Sequence, residues 1–169
     1  MSLSSLLIRT LLCLLLVSTA TAELTCWQQV PPVLIRDLWN QSRLLINDLP
    51  TENSSVQHRF LPNFCTKCPE LVIGWSDMKA LIDVYQRSVF KRSAVQKLLP
   101  LHYPEMMHRL QHTLQRCVSS SETPKHLKLI QKREQKIEKR LGDKGALKAV
   151  EELDFVFSWI DELLHHRVQ

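Results

Sequence analysis

Two pairs of residues in this sequence have spacings that functional sites use. Cys65 and Cys68 are separated by two residues and precede a predicted helix, as in thiol-redox sites. His108 and His112 lie one helical turn apart, which is the spacing of two zinc ligands on one face. Redox sites of this type come with strands and βαβ units, and the histidines lack a third ligand in motif form. We therefore favour structural cysteines and surface histidines, and we expect no metal.

A catalytic centre is not indicated elsewhere in the sequence. No nucleophile, general base and orienting group occur together in a recognisable motif. The 169 residues include only three glycines, whereas phosphate-binding loops and tight hairpins both need glycine. The sequence therefore predicts a protein that is neither an enzyme nor a nucleotide-binding protein, and that needs no cofactor.

Positive charge is concentrated in one stretch of the chain. The formal net charge is +5, and residues 125–148 alone contain nine Lys or Arg against three Asp or Glu. Most of these cations recur every three to five residues, which places them on one helical stripe. The residues of this basic stripe are Lys125, Lys128, Lys132, Arg133, Lys136, Lys139, Arg140 and Lys144. The stripe predicts binding to a polyanion such as heparan sulfate, nucleic acid or an anionic membrane, with a merely solvated face as the alternative.

The elements that carry these residues are predicted to be helices, because apolar residues recur at three and four almost throughout. The first predicted helix opens at Pro31 and Pro32 and is ended by Pro50, and the second runs from Pro69 to about Lys91. The third starts between Pro100 and Pro104 and runs to about Val118, the fourth runs from Pro124 to Leu141, and the last runs from about Ala146 to His166. A turn at Gly142–Gly145 precedes the last of them. No alternating segment is bounded by turn signals, so strands are not expected. We predict a single all-α bundle of about five to six helices.

Residues 1–22 have the pattern of a signal peptide. Arg9 precedes an apolar run that is too short to span a membrane, and Ala20 and Ala22 supply the small residues of a cleavage site. We expect a secreted domain of residues 23–169 that is not an integral membrane protein. Asn40 and Asn53 each begin an N-glycosylation sequon, which agrees with secretion.

The predicted mature domain keeps four cysteines: Cys26, Cys65, Cys68 and Cys117. An even number in an oxidising compartment predicts two disulfides. Four cysteines allow three pairings, and spacing alone leaves them open.

One segment resembles a known family. Leu141–Ile160 is similar to the last turn and last helix of the interleukin-10 family of cytokines, in which a Lys-Gly turn leads to Lys-Ala and then to a Glu-Leu-Asp type triplet. Weaker similarities occur at Arg36–Leu38 and Arg109–Cys117. The resemblance implies an extracellular helical cytokine that bridges two class II cytokine receptor chains. It also implies JAK–STAT signalling in immune and epithelial responses.

The resemblance further implies that the high-affinity receptor chain contacts the first helix of the bundle, the loop that follows it and the last helix. By motif position the receptor-binding residues are Arg36 in the first helix and, in the last helix, Lys148, Glu151, Asp154 and Asp161. The last four positions are spaced by three, three and seven residues, so one continuous helix would place them on one face. Trp39 stands where some family members carry a second basic residue.

The resemblance pairs Cys26 with Cys117. The family's second disulfide has no counterpart here, because residues 119–123 contain no cysteine. Cys65 and Cys68 are then left to pair locally, which we favour, unless one of them has a different partner. A monomer and a homodimer that exchanges its last two helices both remain compatible with the sequence.

A second functional hypothesis is a secreted cationic helical protein that binds polyanions and acts directly against microbes. The apolar last helix and the paired cysteines favour a folded ligand over a short surface-active peptide. The two hypotheses are compatible with each other.

Overall fold

The computed structural model describes residues 2–22, 25–50, 59–62 and 73–165, and every regular element among them is helical. The helices in chain order are α1 (Leu3–Ala22), α2 (Thr25–Gln29), α3 (Pro32–Asn47), α4 (Trp75–Val84), α5 (Ser93–Gln96), α6 (Tyr103–Cys117), α7 (Leu127–Lys136), α8 (Gly142–Glu151) and α9 (Leu153–His165). A π-helical turn continues α4 over Tyr85–Val89, and another continues α7 over Ile137–Leu141. The predicted all-α class is confirmed.

Four helices form the centre of the bundle. Helix α3 packs against α6 and α9, and helix α4 packs against the same two helices. The four therefore form a ring in which the α3–α9 edge lies opposite the α4–α6 edge. Helix α9 packs one broad apolar face into the core, with Leu153, Phe157 and Ile160 fully buried, and leaves Asp161 and Glu162 on its more exposed face. This is the pattern of an amphipathic helix.

Two buried phenols each have a hydrogen-bond partner in this core. The Tyr85 hydroxyl donates to the Ala149 carbonyl at 2.7 Å, and the Tyr103 hydroxyl lies 2.7 Å from the Ser42 hydroxyl. Burial raises the pKa of both tyrosines, so both stay neutral. Large aromatic side chains thus fill the core without leaving their polar ends unsatisfied.

A disulfide joins the N-terminal segment to the bundle. Cys26 in α2 is bonded to Cys117 at the end of α6, which is the pairing that the resemblance implies. The indole N–H of Trp27 also donates to the Leu164 carbonyl at 2.6 Å. A disulfide typically stabilises a fold by about 2–4 kcal/mol. The other two cysteines of the predicted mature domain, Cys65 and Cys68, and the second sequon at Asn53 lie outside the described residues.

The second long helix begins later than the sequence predicts. The start at Pro69 falls outside the described residues, and positions 73 and 74 are not helical. Gly74 is the N-cap of α4, and its N–H donates to the carboxylate of Asp77 at 3.2 Å. The other oxygen of this buried carboxylate accepts the His126 N–H at 3.0 Å. Asp77 therefore ties the start of α4 to the start of α7.

The prediction of one last helix from Ala146 to His166 is wrong. Helix α8 begins at Gly142 and ends at Glu151, and α9 begins at Leu153. The predicted turn shrinks to one residue, Gly142, whose φ of +55° favours glycine. Gly145 lies within α8, where an added Cβ would come within 2.6 Å of Leu141 Cβ, so close packing explains this glycine.

The predicted signal segment forms helix α1. Its described large apolar side chains are exposed: Leu3, Leu6, Leu7, Ile8, Leu11, Leu12 and Leu14. Among the helices of the described residues, none combines the length and the apolar character needed to cross a membrane. Removal of residues 1–22 stays a prediction.

Candidate functional site

The α3–α9 edge carries a cluster of three interacting side chains. Trp39 and Arg43 lie one turn apart on α3, and Asp154 lies in the first turn of α9. The Trp39 indole N–H donates to Asp154 Oδ1 at 2.8 Å, and Arg43 Nε approaches the same oxygen at 3.4 Å. The Arg43 guanidinium also lies 5.0 Å from the centre of the Trp39 ring. We call Trp39, Arg43 and Asp154 the α3–α9 cluster.

This cluster is only partly protected from water. The side chains of Arg43 and Asp154 are 58% and 48% exposed. An ion pair at such exposure contributes about 0–1 kcal/mol to stability. Partly exposed Trp and Arg side chains are, however, the types that dominate binding energy at protein interfaces. The cluster is therefore better suited to recognition than to holding the fold together.

The other predicted receptor-binding residues are distributed over three helices. Lys148 Nζ pairs with Glu151 at 3.1 Å on α8. Asp161 lies 3.5 Å from His165 Nδ1 on α9, and Arg36 is exposed on α3. The assumption of one continuous helix behind these four positions is wrong, because the helix breaks between Glu151 and Leu153. Their contact with a receptor stays a prediction.

A buried carboxylate sits at that break. Glu152 is 4% exposed, and its Oε2 accepts the N–H groups of Phe60 at 2.7 Å and Leu61 at 3.1 Å. Its Oε1 has no hydrogen-bond partner among the described residues. Desolvation raises the pKa of Glu152, and the two N–H groups partly oppose that shift. The carboxylate thereby holds the chain after α3 against the α8–α9 junction.

Residues 59–62 form a strap over this junction. The Arg59 guanidinium lies 5.1 Å from the centre of the Phe155 ring, and Phe155 is 44% exposed. The guanidinium of Arg133 in α7 donates to the Arg59 carbonyl. The strap is thus fixed by Arg133 of α7 and by Oε2 of Glu152. Arg59 of the strap therefore lies on the surface over Phe155, the residue that follows Asp154 of the α3–α9 cluster in sequence.

The acidic residues within the basic segment are all engaged by neighbouring elements. Glu134 accepts Arg87 with both oxygens, the shorter contact being 2.7 Å. Glu138 accepts the Ser88 hydroxyl at 2.8 Å. Asp143 lies 3.5 Å from Arg92. These three acids therefore lie on the side of α7 and α8 that faces the π-helical turn after α4 and the residues that follow it.

The prediction that the basic stripe follows one helix is wrong, because its residues lie in the turn before α7, in α7, in the π-helical turn after it and in α8. Its exposed members are Lys125, Lys128, Lys132, Lys139, Arg140 and Lys144, and its half-buried members are Arg133 and Lys136. Five of the eight line a surface groove of about 580 Å³: Lys132, Arg133, Lys136, Lys139 and Arg140. The structure thus separates the acids of this segment from its cations.

The histidine pair lies on the exposed surface of α6. The rings of His108 and His112 stack with their centres 6.4 Å apart. In the part of the chain that the structure describes, no group of three or more His, Cys, Asp or Glu side chains is arranged to hold a metal ion.

Comparison with known proteins gives one informative relative. Human interleukin-26 is 33% identical to this chain over 84 residues, which is 50% of the chain and 48% of interleukin-26. This similarity agrees with the resemblance of residues 141–160 to the interleukin-10 family of cytokines. It spans about half the length of the curated relative that it matches. No family model and no solved structure matches the chain.

The interleukin-10 family triplet Glu152-Leu153-Asp154 has a distinct structural role at each position. Glu152 binds the strap, Leu153 is fully buried in the core, and Asp154 contacts α3. The segment that carries the family similarity therefore folds as two helices joined at this triplet. The triplet connects α3, which is the first long helix of the bundle, to the strap that follows it and to the last helix, α9.

Sequence reasoning did not single out Arg43 or Arg59. Arg43 lies seven residues after Arg36 and four after Trp39, so its place on the same helical stripe was a usable signal. Arg59 offers no comparable local pattern, because the strap is positioned by Glu152 and Arg133 from distant parts of the chain.

Proposed function

We propose that this protein is a secreted cytokine that bridges two class II cytokine receptor chains and starts JAK–STAT signalling. The relation to the interleukin-10 family supports this proposal. The observation that carries it is the α3–α9 cluster with the adjacent strap, because the family resemblance assigns receptor contact to the first helix, the following loop and the last helix. Those three segments are the ones that Asp154 and Glu152 bring together.

The chemistry of this surface fits a specific protein partner. Arg59 and Arg43 each lie over an aromatic ring, so their guanidinium groups are oriented before a partner arrives. Such preorganised side chains lose less conformational freedom on binding. Lys148 and Glu151 add charges that favour correct orientation of the partner more than affinity. We assign the high-affinity receptor chain to this surface.

The test is binding of the secreted protein to immobilised ectodomains of class II receptor chains. Asp154→Lys places a like charge beside Arg43 and removes the acceptor of Trp39, so we expect affinity to fall at least tenfold. Lys148→Glu tests the predicted contact on α8. STAT phosphorylation in responsive cells should fall in parallel.

A matched control for these reversals is Glu105→Lys. Glu105 is exposed on α6, on another part of the ring, and this variant changes the net charge as Asp154→Lys does. It should bind as the wild type does. Unchanged binding after reversal at both Asp154 and Lys148 would contradict the assignment.

We also propose that the basic stripe binds a polyanion of the heparan sulfate type. The arrangement of Glu134, Glu138 and Asp143 supports this, since their engagement by neighbouring elements leaves the groove lined by cations. Binding by such a surface depends on counterion release and weakens steeply with salt. Direct action on anionic microbial surfaces belongs to the same proposal, because it would use the same cations.

Retention on a heparin column tests the stripe. The triple variant Lys132→Glu, Lys136→Glu and Lys139→Glu should elute at much lower salt than the wild type. The triple variant Lys97→Glu, Arg109→Glu and Arg116→Glu changes the net charge equally at exposed positions elsewhere and should elute later than the stripe variant. Passage of the wild type through the column near physiological ionic strength would contradict the proposal, and loss of bacterial killing in the stripe variant would extend it to antimicrobial action.

A further inference from the structure

The first sequon is divided between the surface and the core. Asn40 is exposed on α3, whereas Ser42 is fully buried. The Ser42 hydroxyl donates to the Leu38 carbonyl at 2.7 Å and lies 2.7 Å from the Tyr103 hydroxyl. Ser42 has a single hydroxyl proton, and the Leu38 carbonyl accepts the hydrogen bond that it makes. The Tyr103 hydroxyl is therefore the donor in the second bond, and the Ser42 oxygen is the acceptor.

This division fixes when Asn40 could be modified. An N-glycosylation acceptor needs both the Asn and the hydroxyl residue two positions later. In the folded chain the hydroxyl of Ser42 is inaccessible and both of its hydrogen bonds lie in the core. A glycan at Asn40 must therefore be added before α3 packs against α6. The exposed Asn40 side chain then allows the modified chain to fold around the same core.

The position of Asn40 relates it to the proposed receptor surface. Asn40 lies four residues after Arg36 and three before Arg43, so the three side chains are neighbours on one stripe, with Cβ atoms about 5–6 Å apart. A standard protein interface buries about 800 Å² on each partner. An interface that includes Arg36 and Arg43 would thus contain Asn40 well inside its boundary.

We propose that an N-glycan on Asn40 blocks the receptor surface of α3, so that occupancy of this sequon divides the secreted protein into a receptor-competent form and a masked form. This inference rests on the proposed receptor function. A bulky, hydrated glycan within one turn of both arginines prevents close approach of a protein partner. The Ser42 hydroxyl also makes two hydrogen bonds in the core, so the residue that completes the sequon has a structural role as well.

The experiment uses the full chain secreted from mammalian cells. Mass spectrometry of the peptide that contains Asn40 measures its occupancy, and lectin chromatography separates glycosylated from unmodified protein. Both fractions are then compared with Asn40→Gln for binding to class II receptor ectodomains. We expect Asn40→Gln and the unmodified fraction to bind at least tenfold more tightly than protein that is glycosylated at Asn40.

Two controls separate the glycan from other effects. Asn53→Gln removes the second sequon and should leave the difference between the Asn40-glycosylated and unmodified fractions unchanged. Enzymatic removal of the glycan leaves Asp at position 40, so Asn40→Asp is the matched variant, and the enzyme-treated protein should bind as this variant does.

The outcomes distinguish this inference from the proposed function. Equal affinity of the glycosylated and unmodified fractions, or an unoccupied Asn40 in the secreted protein, would overturn the glycan mask while leaving the receptor function intact. Failure of Asn40→Gln to bind any class II ectodomain would overturn both.

Discussion

Two carboxylates in one short motif have different environments and bind different parts of this molecule. Glu152 and Asp154 are separated only by the buried Leu153. Glu152 is 4% exposed and binds two backbone N–H groups of the strap, whereas the Asp154 side chain is 48% exposed and binds two side chains of α3. The break between α8 and α9 allows this difference, because it directs neighbouring carboxylates to different partners.

The comparison shows how the same chemical group serves the fold in one place and recognition in another. A buried acceptor cannot be removed without leaving its donors unsatisfied, and each such donor costs about 1–3 kcal/mol. A half-exposed acceptor can be removed at little cost, because water replaces it. Glu152 should therefore control the stability of the strap, and Asp154 should control what the surface binds.

The largest expected effect is on stability after loss of the buried carboxylate. Glu152→Ala leaves the N–H groups of Phe60 and Leu61 without their acceptor, and we expect the free energy of unfolding to fall by about 2–4 kcal/mol. Asp154→Ala is the matched variant and should lower it by less than about 1 kcal/mol. Urea denaturation followed by circular dichroism measures both values. Equal losses would remove the distinction between the two carboxylates.

A smaller effect is expected in the dependence of stability on pH. Burial raises the pKa of Glu152 above its unfolded value, so the folded chain holds this proton more tightly than the unfolded chain does. The contribution of this group to stability is then fully present below the unfolded pKa and is lost as pH rises through the folded pKa. Glu152→Gln removes that titration.

The measurement is the difference in unfolding free energy between the wild type and Glu152→Gln at several pH values. The difference should shift in favour of the wild type as pH falls from 7 towards 4. Asp154→Asn is the matched control at a carboxylate whose side chain is 48% exposed. A shift in the opposite direction would mean that the hydrogen bonds to the strap outweigh desolvation.

Local sequence pattern predicts the helices well but not their ends. The recurrence of apolar residues at three and four predicts α3, α6 and the α7 segment, since burial of one face is a local property of a helix. The break at Glu152 has a different origin. Its carboxylate binds backbone groups 91 and 92 residues away in sequence, and no local signal reports such a contact. The start of α4, in contrast, has a local signal, because the Gly74 N–H donates to Asp77 three residues later; the same carboxylate also accepts the distant His126 N–H.

The candidate site divides in the same way. Family resemblance identified Asp154 and Arg36 because these residues lie in recognisable segments. It did not identify Arg43, whose partner Asp154 is 111 residues away, or the strap residue Arg59. The basic stripe was visible from spacing alone, whereas the engagement of its three acids by neighbouring elements required the packing of α7 and α8. Composition thus predicts which charges are present, and tertiary contacts decide which of them are available.

The smallest expected effect is the coupling between Arg43 and Asp154. A double-mutant cycle with Arg43→Ala and Asp154→Ala should give about 0.2–1 kcal/mol, because both side chains are about half exposed and water screens their attraction. The value should fall further at high salt. The local pair Lys148 and Glu151, 3.1 Å apart on α8 with side chains 19% and 40% exposed, is the reference cycle and should give about 0.2–0.5 kcal/mol. A coupling above about 2 kcal/mol would mean that the α3–α9 cluster stabilises the fold, as Glu152 does. Reversal at Asp154 would then weaken receptor binding by disturbing the packing of α3 against α9, and not by removing a direct contact.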